Sequence, residues 1–127
     1  MMLLLDTHVA LWAFADPGRL GAETRAAIVD PRNTVAISAI SVWEVEIKRA
    51  LGKLRAPDAF AQLCLERGFD ELPVRFEHAE RAGRLPPIHA DPFDRMLVAQ
   101  AQLEQCPIVT HDRSISAYDV RVWSPLS

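Results

Sequence analysis

Short apolar runs alternate with helical patterns along this chain, and that alternation limits the fold more than any other feature. Met2 to Leu5 is four apolar residues followed by Asp6, too short for a helix and apolar on both faces, as in a buried parallel strand. Thr34 to Ser38, Glu71 to Val74, Pro107 to Thr110 and Val120 to Trp123 read as further strands, the last at a sheet edge. Between them come helices. The first runs from about Thr7 to Phe14 and is broken by Asp16-Pro17-Gly18; the second runs from Ala22 to Val29 and closes on Asp30-Pro31. Ile40, Trp43, Ile47, Ala50 and Leu54 step by threes and fours and mark an amphipathic helix ending near Gly52. Pro57-Asp58 opens a helix to about Arg67, and Arg75 to Ala82 reads as another. Gly83 to Ala90 is a loop, and Asp91-Pro92 starts the strongest helix, to about Gln105. Such alternation predicts a parallel sheet covered by helices on both faces. With 127 residues, half of them hydrophobic, the chain suits one domain, residues 1–127, with a real core.

In a sheet of this kind ligands bind beyond the carboxyl ends of the strands, where the strand order switches. Asp6 and Asp112 both follow strands and can share that crevice. Asp6 also reads as a helix N-cap, since its carboxylate can accept from the first-turn amides, and Thr7 can serve the same role. Glu44 lies along an apolar stripe, four residues after Ile40 and three before Ile47, and an i,i+4 pair with Lys48 is its plain structural alternative. Glu46 is better placed for solvent. In Asp91-Pro92-Phe93-Asp94, Asp91 suits the N-cap and Pro92 the first helical position. Asp94 shares a face with Leu97, Val98 and Ala101, which turns it toward the core. Asp112 can cap a short turn from Arg113 to Ala117, while Thr110 and Ser114 can hydrogen-bond a carboxylate. Four carboxylates in partly apolar settings repel one another and resist ionisation. If they converge, a divalent cation is the usual reason.

An all-oxygen set favours magnesium or manganese over zinc, so His8 and His111, which flank the same crevice, read as supporting or packing groups. Arg95 can contact phosphate or pair with an acid, the second being the plainer expectation. Lys48, Arg49, Lys53 and Arg55 form the densest basic run, either a phosphate-binding rim or a solvated helix end. The net charge of −3 does not advertise nucleic-acid binding. Without the four candidate acids, however, 14 basic residues face 13 acidic ones (17 − 4), or +1. Trp12, Phe14 and Trp43 can line an interface or pack in the core, and core packing is the expectation for Trp43. Cys64 and Cys106 are two, far apart and without CxxC spacing, so they read as small buried thiols. No apolar stretch approaches the roughly 20 residues of a membrane span, and Met1 to Asp6 lacks the basic segment of a signal peptide. Cytoplasmic location is the expectation.

Four segments carry a resemblance. They are Leu3-Leu4-Leu5-Asp6-Thr7-His8-Val9-Ala10-Leu11-Trp12, Ile40-Ser41-Val42-Trp43-Glu44-Val45-Glu46-Ile47-Lys48, Asp91-Pro92-Phe93-Asp94-Arg95-Met96-Leu97-Val98-Ala99-Gln100-Ala101 and Val109-Thr110-His111-Asp112-Arg113. In this order, over essentially the whole chain, they resemble the PIN-domain nucleases, and within them the VapC-type toxins of bacterial toxin–antitoxin pairs. The resemblance implies a three-layer α/β/α sandwich with a central parallel sheet of about five strands. It implies Asp6, Glu44, Asp94 and Asp112 as the metal-binding catalytic acids; Thr7, Lys48, Arg95, Thr110 and Arg113, read from their places beside these acids, are candidate supporting or RNA-contacting residues. It also implies Mg2+ or Mn2+, an RNA substrate such as transfer RNA, a homodimer, and a cognate antitoxin protein that covers the site.

A phosphodiester is anionic and repels an anionic nucleophile. Divalent ions offset this by neutralising a non-bridging oxygen, lowering the pKa of water and stabilising the leaving oxygen. The resemblance therefore implies hydrolysis of RNA by metal-activated water, leaving a 5′-phosphate and a 3′-hydroxyl. Two other readings stay open. One is a non-catalytic module of the same fold that grips RNA or a protein; the presence of all four acids weighs against it. The other is an aspartate-nucleophile phosphatase-like enzyme, which Asp6-Thr7-His8 fits poorly because it lacks a second acid two residues on.

Overall fold

The computed structural model describes all 127 residues. Its strands are β1 (Met2–Leu5), β2 (Thr34–Ser38), β3 (Asp70–Leu72), β4 (Ile108–Val109) and β5 (Val122–Trp123). Its helices are α1 (Thr7–Ala15), α2 (Ala22–Val29), α3 (Ala39–Ala50), α4 (Phe60–Glu66), α5 (Phe76–Arg84), α6 (Pro92–Glu104) and the short α7 (Arg113–Ser116), with a 3-10 turn at Pro17–Arg19. The sheet order is β3-β2-β1-β4-β5, and every pairing is parallel. The chain first builds outward from β1 through β2 to β3, then crosses to the other side of β1 for β4 and β5. The order therefore switches between β1 and β4.

Side chains alternate across a strand, and here the alternation sorts the core into two layers. Leu3 and Leu5 of β1, Val35 and Ile37 of β2 and Val109 of β4 join one cluster, with Val9 of α1, Ala27 of α2, Val45 of α3 and Phe60 of α4. Leu4, Ala36 and Ile108 join the other, with Ala82 of α5, Leu97 and Val98 of α6 and Ile115 of α7. Helices thus cover both faces, and the three-layer α/β/α sandwich is the observed fold. Full burial of Leu3, Leu4 and Leu5 contributes roughly 1.5–3 kcal/mol each. Both cysteines are free and buried, and burial pushes their thiols up to about 11, which leaves them protonated and unreactive.

Several boundaries move for identifiable reasons. β3 ends at Leu72, before Pro73, which has no N–H to give the ladder. α4 starts at Phe60 instead of just after Pro57-Asp58, and no side chain caps it. The Asp58 carboxylate accepts instead from Arg49 Nη1 at 2.5 Å. On α3 the buried residues are Ser41, Glu44 and Val45, one position round from the anticipated stripe. Trp43 is consequently 59% exposed, not a core residue, and meets Phe93 edge to face at 5.7 Å. Trp12 and Phe14, by contrast, pack on the core.

Arg95 departs furthest from expectation. Its half-buried guanidinium is paired with no acid. It donates to the carbonyls of Ala82 (2.8 Å), Leu85 (3.0 Å), Pro86 (3.0 Å) and His89 (3.4 Å), and to Tyr118 Oη (3.3 Å). A rigid fork of five donors suits an array of carbonyls that a helix end and its following loop leave unpaired. It ties α6 to the end of α5 and fixes the loop between them. We expect Arg95→Met to lower unfolding free energy by about 2–3 kcal/mol in denaturant titration, and Arg95→Lys to recover less than half of that loss. Asp91→Ala removes the carboxylate that accepts from Phe93 N (2.8 Å) and Asp94 N (3.4 Å), and should cost about 0.5–2 kcal/mol in the same assay.

Candidate active site

The four candidate acids meet. Asp6, Glu44, Asp94 and Asp112 line one pocket at the carboxyl ends of β1 and β4, together with Thr7, His8, Lys48, His89 and Asp91. No hydrophobic residue lines it. Asp6 leaves the end of β1 and Asp112 follows β4, so the strand-order switch puts both beside the same crevice. Glu44 comes in from the second turn of α3, and Asp94 from the first turn of α6.

Each acid is held by a specific partner. Asp6 Oδ1 accepts from Val9 N (2.8 Å), capping α1, and Asp6 Oδ2 accepts from Thr110 Oγ1 (2.5 Å). Thr110 Oγ1 in turn accepts from Asp112 N at 3.0 Å. Asp112 Oδ1 accepts from Ser114 N at 2.8 Å and caps α7. Glu44 is only 3% exposed; its Oε1 accepts from Thr7 Oγ1 (2.6 Å) and its Oε2 from Lys48 Nζ (2.5 Å). The two alternatives for Glu44 are therefore both realised: it pairs with Lys48 and it faces the pocket. Asp6 and Asp91 are likewise caps and pocket residues at once. A carboxylate offers about four lone-pair sites, so these bonds orient the oxygens and leave lone pairs for a ligand.

The electrostatics show a deficit of positive charge. Burial raises the Asp6 carboxyl above its ordinary 3.8, and the nearby Glu44 adds to the rise; hydrogen bonds from Thr110 and Val9 and the nearness of His8 only reduce it. Burial pushes Asp94 up to about 6, with Asp91, Asp112 and Glu44 adding to the rise and His89 opposing it. Glu44 holds the Lys48 ammonium above its ordinary value. Five carboxylates against one lysine is a donor set made for a hard cation, which reverses these shifts by favouring the ionised forms. The residues present therefore fit a divalent ion.

The remaining expected residues divide. Thr7 and Thr110 orient acids, and Lys48 pairs with one. Arg113 is exposed at the start of α7 and does not line the pocket, and Arg95 is taken up by carbonyls. In the basic run, Arg49 pairs with Glu46 and Asp58, and Lys53 and Arg55 are exposed. His8 lines the pocket, whereas the exposed His111 has its ring 6.5 Å from that of Trp12. His89 is the residue that sequence reasoning passes over. Its Nε2 lies 2.8 Å from Asp94 Oδ2 and 3.6 Å from Asp112 Oδ2. Its one cue was its place two residues before the Asp91 cap.

A family model for the PIN domain matches residues 3–121. Ribonuclease VapC16 of Mycobacterium tuberculosis is 39% identical over 64 residues, 49% of this chain and 45% of that protein. The chain thus spans less than half the length of this relative. The crystal structure of VapBC2 from Rickettsia felis, bound to a promoter DNA fragment, matches with a TM-score of 0.73 at 16% identity, over 97% of this chain and 98% of that one. That of Mycobacterium tuberculosis VapC20, a toxin that cleaves the sarcin-ricin loop, matches with a TM-score of 0.67 at 20% identity, over 93% and 95%. At such identities the two structures speak to the fold, while the family match runs from β1 to the edge of β5 and includes all four acids. The chain belongs to the PIN-domain family.

Proposed function

We propose that this protein is a divalent-metal-dependent endoribonuclease, the toxin of a toxin–antitoxin pair, acting as a single catalytic unit in the cytoplasm. The observation that carries this reading is the pocket in which Asp6, Glu44, Asp94 and Asp112 converge with no hydrophobic lining. The family match and the partial similarity to a VapC ribonuclease support the activity. Similarity to VapBC assemblies supports a cognate antitoxin partner; a homodimer is part of the same proposal. No helix is long and apolar enough to cross a membrane.

Asp6 and Asp94 would hold the ion, Mg2+ or Mn2+, with Glu44 and Asp112 completing its surroundings. Bound there, the ion supplies Lewis acidity toward a phosphate oxygen and water. The chain's own residues do the rest. Thr110 fixes the Asp6 and Asp112 sides of the pocket through one hydroxyl. Thr7 and Lys48 hold both oxygens of Glu44, which leaves Glu44 set to orient an attacking water. Lys48 also keeps a positive charge at the pocket for the incoming phosphate.

The direct test is purified protein against total cellular RNA, with Mg2+, with Mn2+ and with chelator, mapping the cut ends. We expect cleavage that chelator abolishes; RNA binding without cleavage would instead indicate a non-catalytic module. Asp6→Asn or Asp94→Asn should reduce cleavage by more than about 100-fold, beyond the range for losing a ligand's supporting partner, with circular dichroism unchanged. Thr110→Val should cost about 10–100-fold, as a supporting partner does, and Thr110→Ser should restore most of it.

The raised acids also predict a pH dependence. Asp94 binds its proton more tightly in the fold than in the unfolded chain. The stability this contributes is fully present below its ordinary 3.8 and is lost as pH rises through about 6. Metal-free protein should therefore lose melting temperature between about pH 4 and pH 6.5 relative to Asp94→Asn. Stabilisation by Mg2+ should grow across the same interval, because the ion requires ionised oxygens. Equal pH slopes for the two proteins in differential scanning fluorimetry would contradict the assignment.

A further inference from the structure

The geometry points to His89 as a nitrogen ligand of the pocket's divalent ion, completing a site with Asp94 and Asp112 that favours a transition ion over Mg2+. This inference rests on the metal-nuclease reading and adds to it a residue and an ion preference.

Around an octahedral ion with bonds of roughly 2.1 Å, neighbouring ligand atoms lie about 3 Å apart and opposite ones about 4.2 Å apart. His89 Nε2 stands 2.8 Å from Asp94 Oδ2 and 3.6 Å from Asp112 Oδ2. One ligand atom from each of the three residues fits within a span of 4.8 Å. The spacing is that of three ligand atoms around one centre, within small side-chain adjustments. None of the three is fully buried, so an ion has a path in.

His89 is also placed by the fold. It sits in the loop between α5 and α6, and its backbone is gripped on both sides. His89 N donates to Tyr118 Oη at 2.8 Å, and Tyr118 is itself buried. Arg95 Nη1 donates to the His89 and Pro86 carbonyls, and Arg95 Nη2 to that of Leu85. Asp94 is fixed in the first turn of α6 and Asp112 by its cap on α7. Three backbones are thus held so that one imidazole and two carboxylates share a small volume.

Donor chemistry sets the preference. Mg2+ takes oxygen ligands, whereas imidazole suits first-row transition ions. Carboxylates accommodate Mn2+ as well, so an imidazole among carboxylates shifts the balance from Mg2+ toward Mn2+.

The test loads the full-length chain with Mn2+ alone and records pulsed electron paramagnetic resonance, which detects nitrogen bound to the ion. We expect nitrogen modulation in the wild type that persists in His8→Ala and vanishes in His89→Ala. By titration, His89→Ala should weaken Mn2+ binding about tenfold or more and Mg2+ binding less than about threefold. Bound Mn2+ without nitrogen modulation in the wild type would overturn the inference and leave the nuclease reading intact; His89 would then only orient Asp94. Modulation that survives in His89→Ala, or equal weakening of both ions, would overturn it as well. Failure of the wild type to bind Mn2+ or Mg2+ at all would defeat both. If His89→Ala did not fold, His89→Gln would decide in the same spectrum: loss of the nitrogen modulation supports the inference, and its persistence overturns it.

Discussion

The pairing of β1 with β4 is the contact on which the rest depends. The ladder joins Leu4 to Ile108 and Leu5 to Val109, and continues as Asp6 N donates to the Val109 carbonyl at 3.0 Å. Thr110 Oγ1 then closes it by donating to Asp6 Oδ2. These two strands come from opposite ends of the chain and lie side by side because the sheet grows outward from β1 in both directions. Everything polar in the pocket is arranged about their carboxyl ends. Had β4 added beyond β3 instead, Asp6 and Asp112 would stand at separated strands, and α3 and α6 would not face one crevice.

Crowding carboxylates there works against the fold, and the chain offsets part of the cost with caps. Asp6, Asp91 and Asp112 accept from the first-turn amides of α1, α6 and α7. All three line the pocket, so three helix N-termini turn toward the same negative region. Their unpaired N–H groups and, for the longer two, their dipoles favour anions. The offset is incomplete, as the raised Asp6 and Asp94 carboxyls record. Capping a helix and lining the pocket are therefore not alternatives at these positions: the bonds that start a helix also orient the carboxylates at the crevice.

Much of this was legible in local patterns. The apolar runs and breakers located all five strands, and Asp91-Pro92 located the start of α6. Asp6, Asp94 and Asp112 stood out by sitting just after strands or in a first helical turn, and Glu44 by its place among apolar residues. The failures share one cause. On α3 hydrophobicity alone marks Ile40, Trp43 and Ile47, yet the buried residues are Ser41, Glu44 and Val45, because the inward face meets two surroundings: Val45 packs in the core and Glu44 lines the polar pocket. Arg95 looked like a surface cation, but the carbonyls that hold it belong to residues six to thirteen positions earlier. His89 lay in a loop with no periodicity, so nothing local gave it a direction.

The division is physical. Strand and helix periods, caps and proline breaks act over a few residues and are written into neighbouring positions, so the sequence by itself determined the elements, their order and the acidic residues at their ends. Convergence is another matter. The Thr110 to Asp6 bond spans 104 positions, and the approach of His89 to Asp94 and Asp112 depends on how a loop is pinned by Arg95 and Tyr118. Only the tertiary structure decided which oxygens share a volume and which nitrogen joins them, because strand order and loop anchoring are settled by packing across the whole sheet and leave no local trace.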